Sequence, residues 1–138
     1  MGEIRIPVLL TNIVDQINAS TRRLPATEIV RTYAGDAIVD TGAVYSVVPQ
    51  HVADILGAQV LGQRRAQCTD GRSEVVNVVG PLQFEINGRT TLEEALVTGK
   101  KVVIGLTVLG KMDWFVDCTN RKLVANPAHP DEPILMVR

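Results

Sequence analysis

The stretch AIVDTGAVYSVV, residues 37–48, decides the fold of this chain. Its two β-branched runs, Ile38-Val39 and Val47-Val48, are typical of short buried strands. Asp40-Thr41-Gly42 lies between them and predicts a tight bend that carries a carboxylate. Because apolar surroundings make an unpaired charge costly, we expect this carboxylate to be buried and to have a chemical role or a partner. The alternative is an ordinary turn, since Asp and Gly are common turn residues.

The composition indicates one domain with balanced charge. The 138 residues are 46% apolar but only 4% aromatic, so we expect a core of Val, Ile, Leu and Ala. Fourteen basic against fifteen acidic side chains argue against a nucleic-acid partner, and no apolar run is long enough for a membrane span. Without a signal-peptide pattern at the start, a cytoplasmic protein is expected. Two cysteines and two histidines are too few for a disulfide framework or a metal site, and no cofactor is expected.

Alternating and β-branched segments separated by turn signals predict a mostly β chain. The predicted strands and strand pairs lie at 4–10, 27–31, 59–79, 81–97, 101–104, 114–116 and 122–124. A loop or distorted hairpin is expected over 11–25, and a turn at 33–35. Helical spacing after Pro49 predicts a helix over 50–56, and a further helical turn or two is expected at 107–112.

The segment 59–79 predicts a long hairpin with Asp70-Gly71 as its two-residue turn. Its arms are polar on both faces near the tip, so we expect the tip to project from the core. At the other end of the chain, residues 134–137 form an isolated apolar stretch behind a proline-rich linker. Such a stretch either pairs with another chain or stays disordered.

The residues Ile38 to Ala43, with Ser46 as the following hydroxyl residue, resemble the signature of the retropepsin-like aspartic proteases, the single-motif relatives of the retroviral protease. A second element of that family, two apolar residues and a glycine beside the catalytic bend, is matched by Ile104-Gly105. The resemblance covers about residues 4–126. It implies an all-β fold, a pepsin-like or retropepsin-type closed β-barrel half with one or two short helices and a flap hairpin.

The resemblance also implies the domain organisation. The protease domain would comprise residues 1–126, and residues 127–138 would form a proline-rich tail that could supply a strand to a dimer interface. By the same resemblance, the chain would be an aspartic endopeptidase acting on a peptide or protein substrate. The alternative is a non-catalytic peptide-binding or dimerisation module on the same fold.

Peptide hydrolysis by carboxylates requires two of them, which share a proton because both cannot ionise in contact. Asp36 cannot be the second carboxylate, because it is four residues from Asp40, about 13 Å along a strand. Asp117 also follows an apolar run, but Cys118-Thr119 stands in place of Thr-Gly. Without the glycine we expect no tight bend there, and Asp117 is interpreted as a strand-end or turn residue. We therefore expect Asp40 of a second copy to complete the pair in a symmetric homodimer.

The resemblance assigns roles to several residues of this chain. It implies that Asp40 is catalytic, that the Thr41 hydroxyl locks the two bends across the dimer, and that Gly42 lets the substrate approach. The residues implied to support the motif are Ala43, Ser46 and Gly105, and those implied to bind substrate in the flap are Thr69, Asp70 and Gly71.

The sequence departs from the retroviral pattern beside this motif. Val44 and Leu106 stand where the retroviral enzymes carry two paired opposite charges. Because both are apolar here, the resemblance implies a more apolar groove wall. The flap tip also lacks the glycine-rich composition of those enzymes, which implies that flap closure is either stiffer or differently timed.

Overall fold

The computed structural model describes residues 3–21, 30–68 and 70–137. In these residues the chain forms nine strands and three short helices. The strands are β1 (Ile4–Asn12), β2 (Thr32–Val39), β3 (Val47–Val48), β4 (Val60–Gln67), β5 (Ser73–Ile86), β6 (Arg89–Val97), β7 (Val102–Ile104), β8 (Trp114–Asp117) and β9 (Lys122–Ala125). The helices are α1 (Ile13–Ser20), α2 (Gln50–Leu56) and α3 (Leu106–Met112). None of these three helices is long and apolar enough to cross a bilayer.

Six of the strands close into a β-barrel. The order around the ring is β1-β2-β7-β3-β6-β5, and β5 pairs with β1 to complete it. The pairs β2–β7 and β3–β6 are parallel, and the other neighbours are antiparallel. β4 extends the sheet beyond β5, while β8 and β9 form a separate hairpin. The prediction of a mostly β, closed-barrel fold is therefore confirmed.

The core is aliphatic, as the composition predicts. Phe84 is its one fully buried aromatic side chain among the described residues. The barrel strands contribute fully buried residues such as Leu10, Leu82 and Ile104, and the helices cover the barrel with Val52, Leu56, Val108 and Met112. Each such side chain contributes roughly 1.5–3 kcal/mol through burial, which fixes the strands that lead into the bend at Asp40.

Several local predictions are confirmed. α2 begins after Pro49 and ends at Gly57, whose φ of 56° is the left-handed conformation of a helix C-cap. Asn87 and Gly88 form the turn between β5 and β6, both with positive φ, as a two-residue hairpin turn requires. The short strand β3 and the helix α3 also lie where they were predicted.

Helix α1 contradicts the prediction of a loop or hairpin over 11–25, of which residues 22–25 lie outside the described residues. The described chain therefore has three helices rather than one or two. The Asn12 side chain caps it by accepting a hydrogen bond from the Asp15 N–H at 3.0 Å. The Asp15 carboxylate is buried and accepts hydrogen bonds from Arg31 Nε at 2.7 Å and Nη2 at 2.9 Å. These bonds lower the Asp15 pKa and tie the helix to the segment before β2. Tertiary contacts thus stabilise a helix whose own polar composition did not suggest one.

Three other predictions need correction. The turn expected at 33–35 is wrong, because these residues belong to β2, which pairs with β1 along its whole eight-residue length. Residues 27–29 of the strand expected at 27–31 lie outside the described residues, and residues 30 and 31 are not in a strand. The Asp70-Gly71 turn is part of a longer connection, since the last pair of the hairpin is Gln67 with Ser73.

The segment after β9 is attached to the end of α3. Asp113 has a left-handed φ of 60°, and its carboxylate accepts hydrogen bonds from Asn126 Nδ2 at 3.0 Å and from the Ile134 N–H at 3.2 Å. His129 Nδ1 approaches the same carboxylate at 2.6 Å. The bonds from Asn126 and His129 lower the Asp113 pKa to about 2. Residues 134–137 are exposed and lie outside the strands of the chain, so their role in an interface stays a prediction.

Candidate active site

The bend at Asp40 is attached by its backbone to the neighbouring strand. β2 runs parallel to β7, with Val39 opposite Ile104, and the Asp40 N–H continues this ladder by donating to the Ile104 carbonyl at 3.0 Å. The Ala43 N–H donates to the Asp40 carbonyl at 3.2 Å and closes the turn. The position of Asp40 is thus determined by β7, whose Val102 and Ile104 side chains are buried in the barrel.

The two oxygens of the Asp40 carboxylate have different surroundings. Oδ1 accepts a hydrogen bond from the Gly42 N–H at 2.9 Å. Oδ2 has no hydrogen-bond partner in residues 3–21, 30–68 and 70–137. The residue is exposed, so the prediction of a buried carboxylate is wrong for a single copy of the chain. The reason is that the bend lies at the surface of the barrel and not between its strands. One oxygen is therefore oriented, and the other can contact water or a partner.

Ser46 and Gly105 meet directly beneath the bend. The Ser46 side chain is 1% exposed, and its Oγ accepts a hydrogen bond from the Gly105 N–H at 2.9 Å. A Cβ at position 105 would lie only 2.6 Å from the backbone C and O of Tyr45, so no larger residue fits without a backbone shift. The glycine is needed for this close approach, since its φ of −91° suits any residue.

Three further hydrogen bonds hold the loop after Asp40 against the start of α3. The Leu106 N–H donates to the Ala43 carbonyl at 2.8 Å. The Thr107 N–H and Oγ1 both donate to the Val44 carbonyl, at 3.3 Å and 3.0 Å. Sequence reasoning missed Thr107. A hydroxyl residue two positions after Gly105, in the first turn of the predicted helix, was the available signal.

The walls beside Asp40 are apolar and exposed. Val44 is 56% exposed and Leu106 is 50% exposed. The hydrogen bonds just described join Leu106 to Ala43 and Val44 to Thr107, so the two apolar residues lie on backbone segments that are bonded to each other. Tyr45, between Val44 and the buried Ser46, is also exposed. These side chains offer apolar contact area to a peptide or a second protein.

The predicted flap residues lie apart from this cluster. The Asp70 carboxylate accepts from the Arg72 N–H at 3.0 Å and from Arg72 Nε at 2.6 Å. The Cys68 N–H donates to the Arg72 carbonyl at 2.6 Å, and Gly71 has a φ of 89°. Thr69 lies outside the described residues. In the described part of the hairpin, no hydrogen bond joins the tip to the bend at Asp40.

Neither of the other two candidate carboxylates is placed as a partner for Asp40. Asp36 lies four residues earlier in β2. The Asp117 carboxylate accepts from the Asn120 N–H at 3.1 Å and from Asn120 Nδ2 at 2.8 Å, and these bonds lower its pKa. Asp117 is therefore the strand-end turn residue that the sequence indicated.

Within the described ranges, no group of three or more His, Cys, Asp or Glu side chains is arranged to hold a metal ion. No protein-family model matches the chain, and no curated protein is significantly similar to it. A functional interpretation therefore depends on the chemistry of Asp40 and its neighbours.

Proposed function

We propose that this chain is a retropepsin-like aspartic endopeptidase that is active as a homodimer. The observation that carries the proposal is the Asp40 carboxylate, which has one oxygen oriented by the Gly42 N–H at 2.9 Å and the other without a partner in the described chain. It lies in an Asp-Thr-Gly bend at the surface of a closed barrel, in the connection from β2 to β3, beside exposed apolar side chains. This combination suits a carboxylate that acts on a peptide rather than one that stabilises a turn.

In the proposed reaction, Asp40 from each of two copies forms the catalytic pair, and the pair shares one proton. The ionised carboxylate takes a proton from water while the resulting hydroxyl attacks the peptide carbonyl carbon. The protonated carboxyl gives its proton to the carbonyl oxygen, which yields a neutral tetrahedral diol. Breakdown of the diol cleaves the C–N bond as a proton is transferred to the leaving nitrogen. Activity is expected on the acid side of neutrality, because one member must stay protonated.

Two features of the surface support a dimer. Thr41 is exposed, and its hydroxyl has no hydrogen-bond partner in the described part of the chain, so it is available to the facing bend. Residues 134–137 add an exposed apolar segment beyond β9 that could pair with a second copy. A symmetric dimer would supply the second carboxylate from the same residue.

The second candidate is a non-catalytic module that binds an extended peptide or forms dimers. It is favoured by β4, which pairs with no described strand other than β5 and exposes Val60 and Leu61 at 54% and 52%. An unpaired strand edge can accept another strand. The intact Asp-Thr-Gly bend favours the enzyme, because a binding module has no need of an oriented carboxylate with a free oxygen.

Peptide-library cleavage from pH 3 to 8, with the wild type beside Asp40→Asn, tests the proposal. The oligomeric state of both proteins is measured by sedimentation under the same conditions. Cleavage by the wild type alone is expected. If both proteins are folded and dimeric and neither cleaves, the enzyme proposal is overturned in favour of the binding module.

A further inference from the structure

A second polar site lies beside the strands that lead to Asp40. A cavity of about 270 Å³ opens beside the beginning of β7 and the middle of β2, next to the start of α2. Besides Tyr33, its charged and titratable lining residues are Arg5, Asp36, His51, Lys100 and Lys101. Its lining on β2 includes Asp36, about 13 Å of strand before Asp40, and reaches Ile38, and Asp40 is not part of it.

The lining of this cavity is basic although the whole chain has a net charge of −1. Three cationic side chains face one carboxylate, that of Asp36. Lys100, Lys101 and Asp36 make no ion pair or side-chain hydrogen bond within the described ranges, so the lysines are not neutralised by the carboxylate beside them. Such unpaired ammonium groups at one concave site create a local positive potential.

The guanidinium of Arg5, which lines the cavity, can also contact a bound anion. This guanidinium pairs with Glu3 at 3.0 Å, but the two side chains are 58% and 50% exposed. An ion pair this exposed is weak, so an anion in the cavity competes readily with Glu3 for the guanidinium. His51, from the first turn of α2, adds a ring nitrogen that is not used by any hydrogen bond in the described chain.

We propose that this cavity binds a small phosphate monoester. Ammonium groups are donors only, and two of them match a doubly charged phosphate better than a single carboxylate. The cavity is near the lower end of the range for small-molecule sites, about 300 Å³, which suits a phosphate with a small organic group. Tyr33 and Ile38, which are both half-buried, also line it and provide the surface for that group.

Two other kinds of ligand fit less well. A metal cation would be repelled by the lysines, and only one carboxylate lines the cavity. A nucleic acid is recognised by an extended basic stripe, whereas this basic group is confined to one concavity on a chain with balanced charge. The site is separate from the proposed peptidase function, and its occupancy does not require a dimer or an intact Asp40.

Calorimetric titration with phenyl phosphate tests the proposal in the full chain, with phenol as the uncharged probe. Saturable binding of phenyl phosphate and none of phenol are expected for the wild type. The double variant Lys100→Gln/Lys101→Gln should bind phenyl phosphate about tenfold to a hundredfold more weakly. The reason is that each lost charge-assisted hydrogen bond lowers the affinity about tenfold. The matched control is Arg121→Gln/Lys122→Gln, which removes two exposed charges outside the cavity and should bind as the wild type does.

A second variant has the opposite expected effect. Asp36→Asn removes the one carboxylate of the cavity lining and should tighten phenyl phosphate binding several-fold, with no lysine altered. The proposal is overturned if the wild type shows no saturable binding, or if the cavity and control double variants weaken binding equally. It is also overturned if Asp36→Asn binds no more tightly than the wild type. Repeating the titration in Asp40→Asn should give the wild-type affinity whether or not the chain is a peptidase.

Discussion

Two aspartates of this chain each end an apolar strand, and the turns that follow them use the carboxylate differently. At Asp40, one oxygen accepts a single backbone hydrogen bond from Gly42 and the other has no partner in the described chain. At Asp117, both oxygens are bonded to Asn120, one to its backbone N–H and one to its side chain. The first carboxylate keeps a free oxygen, while the second is a turn cap whose pKa is lowered by its bonds.

The difference follows from the residues that come after each aspartate. Thr41-Gly42 forms a tight bend whose backbone is supported by β7 and the start of α3, so the Asp40 side chain is not needed to close the turn. Within the described ranges, no backbone hydrogen bond joins the 118–121 turn to another element. The Asp117 carboxylate holds this turn through its bonds to the N–H and the side chain of Asn120. An aspartate after a strand therefore becomes available for chemistry when other elements stabilise its turn.

The largest expected effect is on peptide cleavage, where substitution of Asp40 and substitution of Asp117 should give different results. Asp40→Asn should reduce peptide cleavage by about a thousandfold or more, because it removes the group proposed to activate water. Asp117→Asn should leave cleavage within a few-fold of the wild type. Initial rates on the best library peptide, at equal dimer concentration, check this pair. Equal losses in both variants would remove the distinction between the two turns.

The next largest effect should come from Gly105, whose close contact with Tyr45 supports the Asp40 bend. In Gly105→Ala, the new Cβ would lie 2.6 Å from backbone atoms of Tyr45, so the loop must shift, at a cost of about 3 kcal/mol in the free energy of unfolding. Gly110→Ala in the same helix is the control, since a Cβ there meets no atom within 4 Å. Urea denaturation should show a loss for the first variant and little change or a gain for the second. Equal stability would show that the bend does not need this contact.

Removal of the buried Ser46 hydroxyl should lower the free energy of unfolding by less than Gly105→Ala does. Ser46→Ala leaves the Gly105 N–H without its acceptor in a site that is 1% exposed, and about 1–2 kcal/mol of stability should be lost. Ser20→Ala, which removes an exposed hydroxyl bonded to the Ile17 carbonyl, provides the comparison and should change stability much less. The same denaturation experiment measures both. A larger loss in the Ser20 variant would contradict the proposed importance of the Ser46 bond.

The smallest effect concerns pH and the Asp117 turn. The bonds from Asn120 lower the Asp117 pKa below its ordinary value of 3.8, so its contribution to stability is present above that value. It is lost as pH falls through the still lower pKa of the folded state. Asp117→Asn should therefore be less stable than the wild type at pH 6, and the difference should shrink at pH 3 and below. A difference that grows on acidification would have the wrong sign for a lowered pKa.

Much of the fold could be predicted because local chemistry and tertiary contacts favour the same structure. The β-branched runs around Asp40, the Asn87-Gly88 turn and the Pro49 and Gly57 limits of α2 are all recognisable in short windows. The motif residues Ser46 and Gly105 were also named from sequence, and they lie in contact. Helix α1 was not predicted, because its stabilising contact is not local: the buried Asp15 is bonded to Arg31, sixteen residues away.

By itself, the sequence determined the all-β class, the bend at Asp40 and the apolar character of the residues beside it, because these depend on residue type and short-range spacing. Only the tertiary structure decided that the Asp40 carboxylate is exposed with one oxygen free, and that Ser46 supports Gly105 from 59 positions away. It alone brought Arg5 and His51 to the same cavity as Lys100 and Lys101. The physical reason is that exposure and long-range contacts are properties of strand pairing and barrel closure, which no short window of sequence contains.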